Sequence, residues 1–304
     1  MMKVLVTGGS GFIGSHLVNK LVDSSYEVRV FDIKEPKNPQ VEFIKGDISN
    51  LEDVRKAVKD CESVFHLASA IGVEYTERHP VETLDTNING IKNVLECCLH
   101  EDVKRLLFTS SSEVYGEPAK IQVLEDSPLQ PKSCYGVSKV VCEEYIKAYS
   151  KSYGLNYTIV RYFNVYGPRQ STSFVIPKFV DLALKQQTIT VYGSGRQIRA
   201  FCFIDDIIEG TLLAFKKATN DVFNIGNDKE PIEMRDLAKK IIQLTKSNSR
   251  LEFVSLNKTD RSEKREINKR TPDITKSRKI LGYEPKVTLD EGLMKMIEHT
   301  EVRR

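Results

Sequence analysis

The sequence has 304 residues and a formal net charge of +3, with 40% hydrophobic and 29% charged residues. This composition is ordinary for a globular protein, and the length allows about two units of about 150 residues each. No apolar run approaches the roughly 20 residues that span a bilayer, and no signal-peptide pattern precedes the first predicted strand. We therefore expect a cytoplasmic protein that has neither a membrane nor a nucleic acid as partner.

The six cysteines indicate neither a metal site nor a disulfide framework. They form no Cys-x-x-Cys pair, and no histidine stands at zinc-binding spacing from them. Reduced thiols and the absence of a metal are the simplest expectation. Residues 261–279 are locally basic, with eight Lys or Arg against three acids. This stretch is either a solvated face or part of a phosphate-binding wall.

The first 160 residues alternate apolar, β-rich runs with helical patterns. The predicted strands are residues 3–7, 27–31, 41–45, 63–67, 106–110 and 157–161, and the predicted helices are residues 12–22, 51–59, 83–99 and 137–153. Strands that are nearly continuous in hydrophobic residues are typical of a parallel sheet covered on both faces. The alternation therefore predicts a doubly wound α/β sheet with right-handed crossovers.

The regular alternation stops after residue 161. The sequence beyond it predicts helices at residues 175–186, 231–244, 273–281 and 289–299, and strands at 189–192, 222–225 and 251–255. No linker rich in Pro, Gly or Ser divides the chain. We therefore predict a first domain of residues 1–165 and a smaller, interleaved α/β lobe of residues 166–304. Segments near residues 200–226 are expected to return to the first domain.

Three glycines stand between the first predicted strand and the first predicted helix, in the spacing Gly8, Gly11 and Gly14. Gly8 permits a tight turn, Gly11 permits close approach of a pyrophosphate, and Gly14 permits close packing of helix on strand. Asp32 at the end of the second strand is placed to bind an adenosine ribose, which favours NAD over NADP. Lys34 nearby keeps NADP as an alternative, and a glycine-rich turn without a ligand is the other one.

Tyr135 and Lys139 are four residues apart at the start of a predicted helix, so their side chains share one face. A lysine ammonium near a phenol lowers the phenol pKa from about 10 toward neutrality, and such a tyrosine can act as a general base. Ser111, at the end of the fifth strand, can hydrogen-bond the same substrate hydroxyl. A Tyr-x-x-x-Lys pair also arises by chance on helix surfaces, so a purely structural role is the alternative.

Together these residues resemble the extended short-chain dehydrogenase/reductase superfamily, in particular its nucleotide-sugar epimerase/dehydratase branch and the UDP-glucose 4-epimerases within it. The resemblance extends from Met1 to about His299. The segments that carry it are residues 7–14, 32, 46–48, 66–68, 86–90, 110–116, 135–139, 161–168, 191–195 and 199–206.

The resemblance implies a Rossmann domain with tightly bound NAD that is reduced and reoxidised within one turnover. Tyr135 would take the proton of the sugar C4 hydroxyl, and Lys139 would bind the nicotinamide ribose and keep Tyr135 ionised. Ser111 would orient the C4 oxygen. The residues that the resemblance assigns to the cofactor are Gly8, Gly11, Phe12, Ile13, Gly14, Asp32, Asp47, Ile48, Leu67, Ala68, Asn87, Tyr135, Lys139 and Phe163.

The resemblance also implies a nucleotide-sugar substrate, and UDP is the commonest carrier in the family. Asn164 and Arg199 would contact its diphosphate, for which the donor fork of arginine is suited. Either Arg265 or Arg270 would join them. The residues expected at the substrate are Ser111, Asn164, Val175, Lys178, Arg199, Arg265 and Arg270.

The reaction stays open at this point, because all branches of the family share a 4-keto sugar. A 4-epimerase needs only Ser111, Tyr135, Lys139 and a roomy pocket. A 4,6-dehydratase needs a further acid and base, often supplied by the pair that is Ser112-Glu113 here, and sugar-acid decarboxylases carry a similar glutamate. Because Ser112 replaces the usual acid and residues 135–139 resemble epimerases, we predict a UDP-hexose 4-epimerase. A dehydratase or a UDP-sugar-acid decarboxylase that uses Glu113 is the alternative.

Two further expectations follow from the resemblance. Helices equivalent to residues 83–99 and 137–153 commonly form a dimer interface in this family, so a homodimer is expected. Some relatives serve as non-catalytic NAD-binding sensors, but these typically lose the tyrosine or the lysine. Because this sequence keeps Tyr135 and Lys139, an enzyme is favoured over a sensor.

Overall fold

The computed structural model describes residues 2–118, 122–255 and 267–302. The strands in these ranges are β1 (Lys3–Thr7), β2 (Glu27–Asp32), β3 (Glu42–Lys45), β4 (Ser63–His66), β5 (Arg105–Ser111), β6 (Gln122–Val123), β7 (Tyr157–Tyr162), β8 (Val165–Tyr166), β9 (Ile189–Tyr192), β10 (Ile198–Ala200), β11 (Cys202–Phe203), β12 (Asp221–Ile225), β13 (Pro231–Glu233), β14 (Leu251–Val254) and β15 (Lys269–Pro272). The α-helices are α1 (Phe12–Asp23), α2 (Leu51–Val58), α3 (Val73–Arg78), α4 (Pro80–His100), α5 (Cys134–Tyr153), α6 (Val175–Leu184), α7 (Ile204–Lys217), α8 (Met234–Leu244) and α9 (Leu289–Glu301).

The centre of the molecule is a seven-stranded sheet in the order β3-β2-β1-β4-β5-β7-β12. Every neighbouring pair in it is parallel. The strand order reverses between β1 and β4, which is the switch point where ligands of such sheets bind. The predicted α/β Rossmann fold with a doubly wound parallel sheet is therefore confirmed.

Strand β1 shows why its sequence is hydrophobic without interruption. Val4, Leu5 and Val6 are all fully buried. Since successive side chains of a strand point to opposite faces, Val4 and Val6 pack into the core with α1, α6 and α7, while Leu5 packs into the core with α2 and α4. A strand covered on both faces needs apolar side chains at every position.

Two predicted helices of the second half begin later than expected, one after a strand and one after a turn. The predicted helix at residues 231–244 starts as β13, which pairs antiparallel with β10, and only α8 is helical. The predicted helix at 273–281 follows β15 and ends in a π-helical turn, Ser277–Leu281. Asp273 Oδ1 accepts a hydrogen bond from the Thr275 amide at 2.8 Å, so the chain turns there before it becomes helical.

The smaller sheet β13-β10-β15-β6 lies beside the main sheet and links distant parts of the sequence. Its strand β6 comes from the segment between β5 and α5, and it pairs with β15. Strand β12, which follows the first strands and helices of the lobe in sequence, pairs with β7 of the main sheet. Within the described ranges, no helix combines the length and apolar character that a membrane crossing requires.

Candidate active site

The predicted site residues meet where β1, β4 and β5 end at the switch point of the sheet. The glycine turn follows β1, Leu67 and Ala68 follow β4, and Ser111 ends β5. Thr7 ties two of these ends together, because its Oγ1 accepts hydrogen bonds from the amides of Leu67 and Ala68, both at 3.2 Å. The carboxyl ends of three neighbouring strands therefore form one edge.

The three glycines of the first turn have different surroundings. Gly8 has φ +70°, and a Cβ there would lie 2.7 Å from the Ala68 amide nitrogen. A Cβ on Gly14 would lie 2.1 Å from the Gly8 carbonyl oxygen, so α1 packs directly on the turn. A Cβ on Gly11 would meet only that oxygen within 4 Å, at 3.2 Å. The backbone at Gly11 is therefore approachable from outside.

The start of α1 suits an anionic ligand. Its N-cap is Gly11, which has no side chain to bond the first amides, and its first turn holds no acidic residue. Unpaired N–H groups at a helix N-terminus bind phosphate groups well. The turn thus fits the pyrophosphate of a dinucleotide.

Asp32 lies at the end of β2, beside this turn. Its Oδ2 accepts a hydrogen bond from the Ser10 amide and its Oδ1 from the Lys34 amide, both at 3.0 Å. These bonds hold the carboxylate in one orientation. Lys34 itself is exposed.

Other residues that the sequence assigns to the cofactor lie around the same edge, some of them deeply buried. Asn87 of α4 bonds the Ser138 hydroxyl through Nδ2 at 2.9 Å and the Ala70 amide through Oδ1 at 2.7 Å. Its side chain therefore connects α5 to the loop after β4. Phe163 is fully buried, and Ile48 nearly so. The predicted positions Phe12 and Ile13 (in the first turn of α1) and Asp47 (before α2) are less buried.

Ser111, Tyr135 and Lys139 come together between β5 and the first turns of α5. Tyr135 shares a side-chain hydrogen bond with Ser111. Lys139 Nζ lies 5.6 Å from the centre of the Tyr135 ring and donates a hydrogen bond to the Thr109 carbonyl at 3.0 Å. The start of α5 is set by Ser133, whose hydroxyl accepts the Gly136 amide at 2.9 Å. The sequence analysis did not single out Ser133, although a serine just before a helical pattern is a usual N-cap signal.

The ionisation of this group differs from the sequence-based expectation. Burial of the Tyr135 hydroxyl raises its pKa, the charge of Glu113 raises it further, and the bond to Ser111 lowers it. The predicted fall of the Tyr135 pKa toward neutrality is therefore wrong for this structure, because desolvation of the hydroxyl outweighs the effects that favour the phenolate. Burial lowers the pKa of Lys139 itself to about 8.

Glu113 and Arg270 lie next to the catalytic group. Glu113 Oε2 accepts a hydrogen bond from the Ser133 hydroxyl at 2.7 Å, and its backbone amide donates to Ser111 Oγ at 3.2 Å. Arg270 of β15 is buried, and its Nε and Nη1 bond to none of the described residues. Burial lowers the pKa of Arg270, and the charges of Glu113 and Glu117 oppose this effect. The buried cation of Arg270 is thus within electrostatic range of Glu113.

The other predicted substrate residues within the described ranges lie on β10, β15, α6 and the segment after β7. Arg199 and Arg270 are register partners on the neighbouring strands β10 and β15. Asn164 donates a hydrogen bond to the Ala200 carbonyl at 3.0 Å. Lys178 Nζ is 3.3 Å from the Tyr192 hydroxyl. Val175 begins α6, and Arg265 falls outside the described residues.

Comparisons with known proteins identify the family to which the chain is similar. Residues 4–226 match the sequence profile of the NAD dependent epimerase/dehydratase family. A protein of Methanocaldococcus jannaschii named "Putative UDP-glucose 4-epimerase" is 38% identical over 97% of both chains. The UDP-N-acetyl-alpha-D-glucosaminuronate decarboxylase of Bacillus cytotoxicus is 33% identical, also over 97% of both. The structure of Thermotoga maritima UDP-glucose 4-epimerase with UDP-glucose superposes with a TM-score of 0.93, at 34% identity and 99% coverage of both chains.

Proposed function

This chain belongs to the NAD dependent epimerase/dehydratase family, and we propose that within it the protein is a 4-epimerase of a UDP-linked hexose. It is an NAD-dependent enzyme. The observation that carries the proposal is the contact of Tyr135 with Ser111 at the end of β5, with the Lys139 ammonium behind the tyrosine ring. A base, a second hydroxyl and a cation around one point are what oxidation of a sugar hydroxyl requires.

Each residue of the group has a separate task in this proposal. NAD, when bound, supplies uptake and return of a hydride. Ser111 and Tyr135 hold the C4 oxygen, and Tyr135 takes its proton and later gives it back. Lys139 stabilises the phenolate of Tyr135 electrostatically. Asp32 binds the adenosine ribose and the backbone at Gly11 approaches the pyrophosphate.

The substrate wall is supplied by the lobe in this proposal. Arg199 and Asn164 face the diphosphate of the nucleotide, and Lys178 with Val175 of α6 borders the base. Arg270 contacts either the diphosphate or the sugar. The UDP carrier is supported by the relatives, which are named after UDP-sugars.

A product analysis tests the proposal directly. The purified protein is incubated with UDP-, dTDP- and GDP-sugars, including UDP-glucose and UDP-glucuronic acid, and the products are analysed by mass spectrometry and NMR. An epimer of unchanged mass from UDP-glucose is the expected result. Loss of water identifies a dehydratase and contradicts the proposal. Tyr135→Phe serves as the catalytic control: it should abolish turnover and keep NAD binding, whereas a sensor would be unaffected.

Decarboxylation of a UDP-linked hexuronic acid is the second candidate, because Nε and Nη1 of buried Arg270 bond to none of the described residues and the charge of Glu113 acts on this arginine. Such an arginine can bind the C6 carboxylate through two N–H groups. Once C4 is a ketone, the C5–C6 bond breaks, carbon dioxide leaves, and the electron pair passes into the enolate of C4. The carbanion equivalent at C5 then takes a proton. Loss of carbon dioxide from UDP-glucuronic acid would establish this candidate over the epimerase.

A homodimer through α4 and α5 belongs to the same proposal. The two helices pack side by side through Asn87 and Ser138, and Val81 and Val137 on them are 66% and 40% exposed. Exposed apolar side chains on paired helices favour a symmetric contact. Light scattering after gel filtration should give twice the chain mass for the wild type and a lower mass for Val137→Glu. A monomeric wild type would contradict this proposal.

A further inference from the structure

The catalytic face of α5 is longer than the Tyr-x-x-x-Lys pair. Tyr135, Lys139 and Glu143 follow one another at four-residue spacing, which places them on one face of the helix. They contact the last three residues of β5, in the order Ser111, Thr109 and Ser110. The contact of Glu143 with Ser110 has no role in the proposed chemistry, although it lies on the same helix face as the contacts of Tyr135 and Lys139.

Glu143 is completely buried and all its bonds are short. Its Oε1 accepts the Ser110 hydroxyl at 2.5 Å and Arg161 Nε at 2.9 Å, and its Oε2 accepts Arg161 Nη2 at 2.6 Å. This is a bidentate arginine–carboxylate pair, which fixes orientation as well as distance. Ser110 and Arg161 are register partners on β5 and β7. Glu143 therefore locks the strand residue next to Ser111 onto α5.

The ion pair is anchored on its far side as well. Arg161 Nη1 donates to the Tyr115 hydroxyl at 2.7 Å and to the Glu125 carbonyl at 2.8 Å. The Tyr115 hydroxyl in turn donates to Asn224 Oδ1 of β12, also at 2.7 Å. The network thus joins β5, α5, β7 and β12 with the segment that follows Ser111. Burying two charges costs desolvation free energy, which their attraction often does not exceed. Stability alone therefore does not explain why this ion pair lies beside the catalytic group.

We propose that Glu143, held by Arg161, is a positioning residue of the active site, which keeps Ser111 and Lys139 in register with Tyr135. The inference rests on the proposed function only in taking these three residues as the catalytic group. It holds for any reaction that starts with oxidation at C4. Glu143 itself touches neither substrate nor cofactor in this assignment and acts through Ser110 and Lys139.

The charges around Lys139 allow a second test of the proposal, the pH dependence of the rate. The titratable groups that face Lys139 are His66 of β4, and Tyr135, Cys142 and Glu143 of its own helix. Burial lowers the pKa of His66 to about 3 and raises that of Cys142 to about 12, so both are uncharged near neutral pH. Burial raises the pKa of Tyr135 as well. Desolvation lowers the pKa of Lys139, and Cys142 and Glu143 oppose this effect. Since the Cys142 thiol is uncharged near neutral pH, the Glu143 carboxylate is the one of these two that supports the ammonium there.

The test compares Glu143→Gln with the neighbouring variant Glu144→Gln, whose side chain is exposed and forms an ion pair with Lys147 on the surface. The rate of NAD reduction by a bound nucleotide sugar is followed by absorbance in single turnover, alongside steady-state kcat and KM. Because a displacement of about 1 Å can cost about 100-fold in rate, we expect a loss of that order in kcat for Glu143→Gln. We expect KM to stay within about threefold, and Glu144→Gln to behave as the wild type. The basic limb of the rate profile should move to lower pH for Glu143→Gln, since Lys139 loses its supporting charge.

The double variant Glu143→Leu/Arg161→Met separates positioning from stability. Removal of both charges avoids a lone buried ion, so its Tm should recover relative to Glu143→Gln, while kcat stays low. Recovery of kcat together with Tm would overturn the inference, as would a Glu143→Gln enzyme with wild-type kcat. Tyr135→Phe is measured in parallel: full activity of that variant would instead overturn the proposed function.

Discussion

Lys139 is 3% exposed, and burial lowers the pKa of its ammonium from the usual 10.5 to about 8. The lysine is charged below this value, where it can stabilise a phenolate on Tyr135, and neutral above it. The same desolvation acts on Tyr135 in the opposite direction, because there it disfavours the anion. At the scale of single residues, the site therefore depends on Tyr135 and Lys139, and burial disfavours the charged form of both.

This balance predicts the basic limb of the pH profile. Turnover should decline as the pH rises through about 8, because Lys139 then loses the proton with which it stabilises the phenolate. The measurement is kcat/KM between pH 6 and 10 with a saturating amount of NAD. A rate that stays constant up to pH 10 would contradict the assignment of Lys139.

Asp32 gives a second prediction at this scale. Asp32→Ala should weaken NAD binding about tenfold or more, because hydrogen bonds to a charged group contribute about 1.5–3 kcal/mol. Titration calorimetry or quenching of cofactor fluorescence measures the change. Glu35→Ala is the matched control, since Glu35 is an exposed acid three residues along the chain. Equal affinity of Asp32→Ala and the control would remove the ribose assignment.

At the scale of an element, the three glycines of the β1–α1 turn have different roles. Gly14→Ala would force a Cβ to 2.1 Å from the Gly8 carbonyl oxygen, so it should lower Tm. Gly11→Ala meets only one atom, at 3.2 Å, and should leave Tm nearly unchanged. Because its methyl group occupies the space through which a pyrophosphate approaches, Gly11→Ala should nevertheless weaken NAD binding.

Thermal unfolding and NAD titration of the two variants check this pair. If both glycine variants lose stability equally, the distinction between packing and ligand approach is wrong. If Gly11→Ala binds NAD as tightly as the wild type, the pyrophosphate lies elsewhere. The comparison has an internal control, because both variants make the same chemical change in one turn.

Elements of the main sheet were predictable, whereas several of the lobe were not. Most strands of the first half are nearly continuous in hydrophobic residues and are separated by helical periodicity, so the local pattern identifies them. Helix α7 was missed, although its apolar residues recur at helical spacing, as at Ile204, Ile208, Leu212 and Phe215. Strands β13 and β15 are short and exist through pairing with β10. Such pairing is a long-range contact that no local pattern encodes.

At the scale of the whole molecule, the two halves of the chain share a hydrophobic core. This core contains Val4 of β1 together with Leu293 and Met296 of α9. Gly292 of α9 packs against Tyr166, where a Cβ would lie 2.0 Å from the hydroxyl oxygen. The first half and the lobe therefore share buried surface rather than meeting at a thin interface.

This shared core predicts that the two halves do not fold separately. The full chain should unfold in one cooperative thermal transition. A chain that ends at Gly226, where the family match ends, should fail to give a cooperative transition. Such a chain lacks Tyr283, and Tyr166 loses part of the core against which it packs. Calorimetry and circular dichroism test both statements. A truncated chain that melts cooperatively would show that residues 1–226 form an independent domain.

The sequence by itself determined the parallel sheet, the glycine turn and the approach of Tyr135, Lys139 and Ser111, because each depends on residues close in sequence or on strand ends that a parallel sheet brings to one edge. Only the tertiary structure decided how burial sets their ionisation. It also brought buried Arg270 within electrostatic range of Glu113 and joined Glu143 to Arg161. Arg270 lies more than 150 positions beyond Glu113 in the sequence, and such distant partners meet only when the whole chain folds.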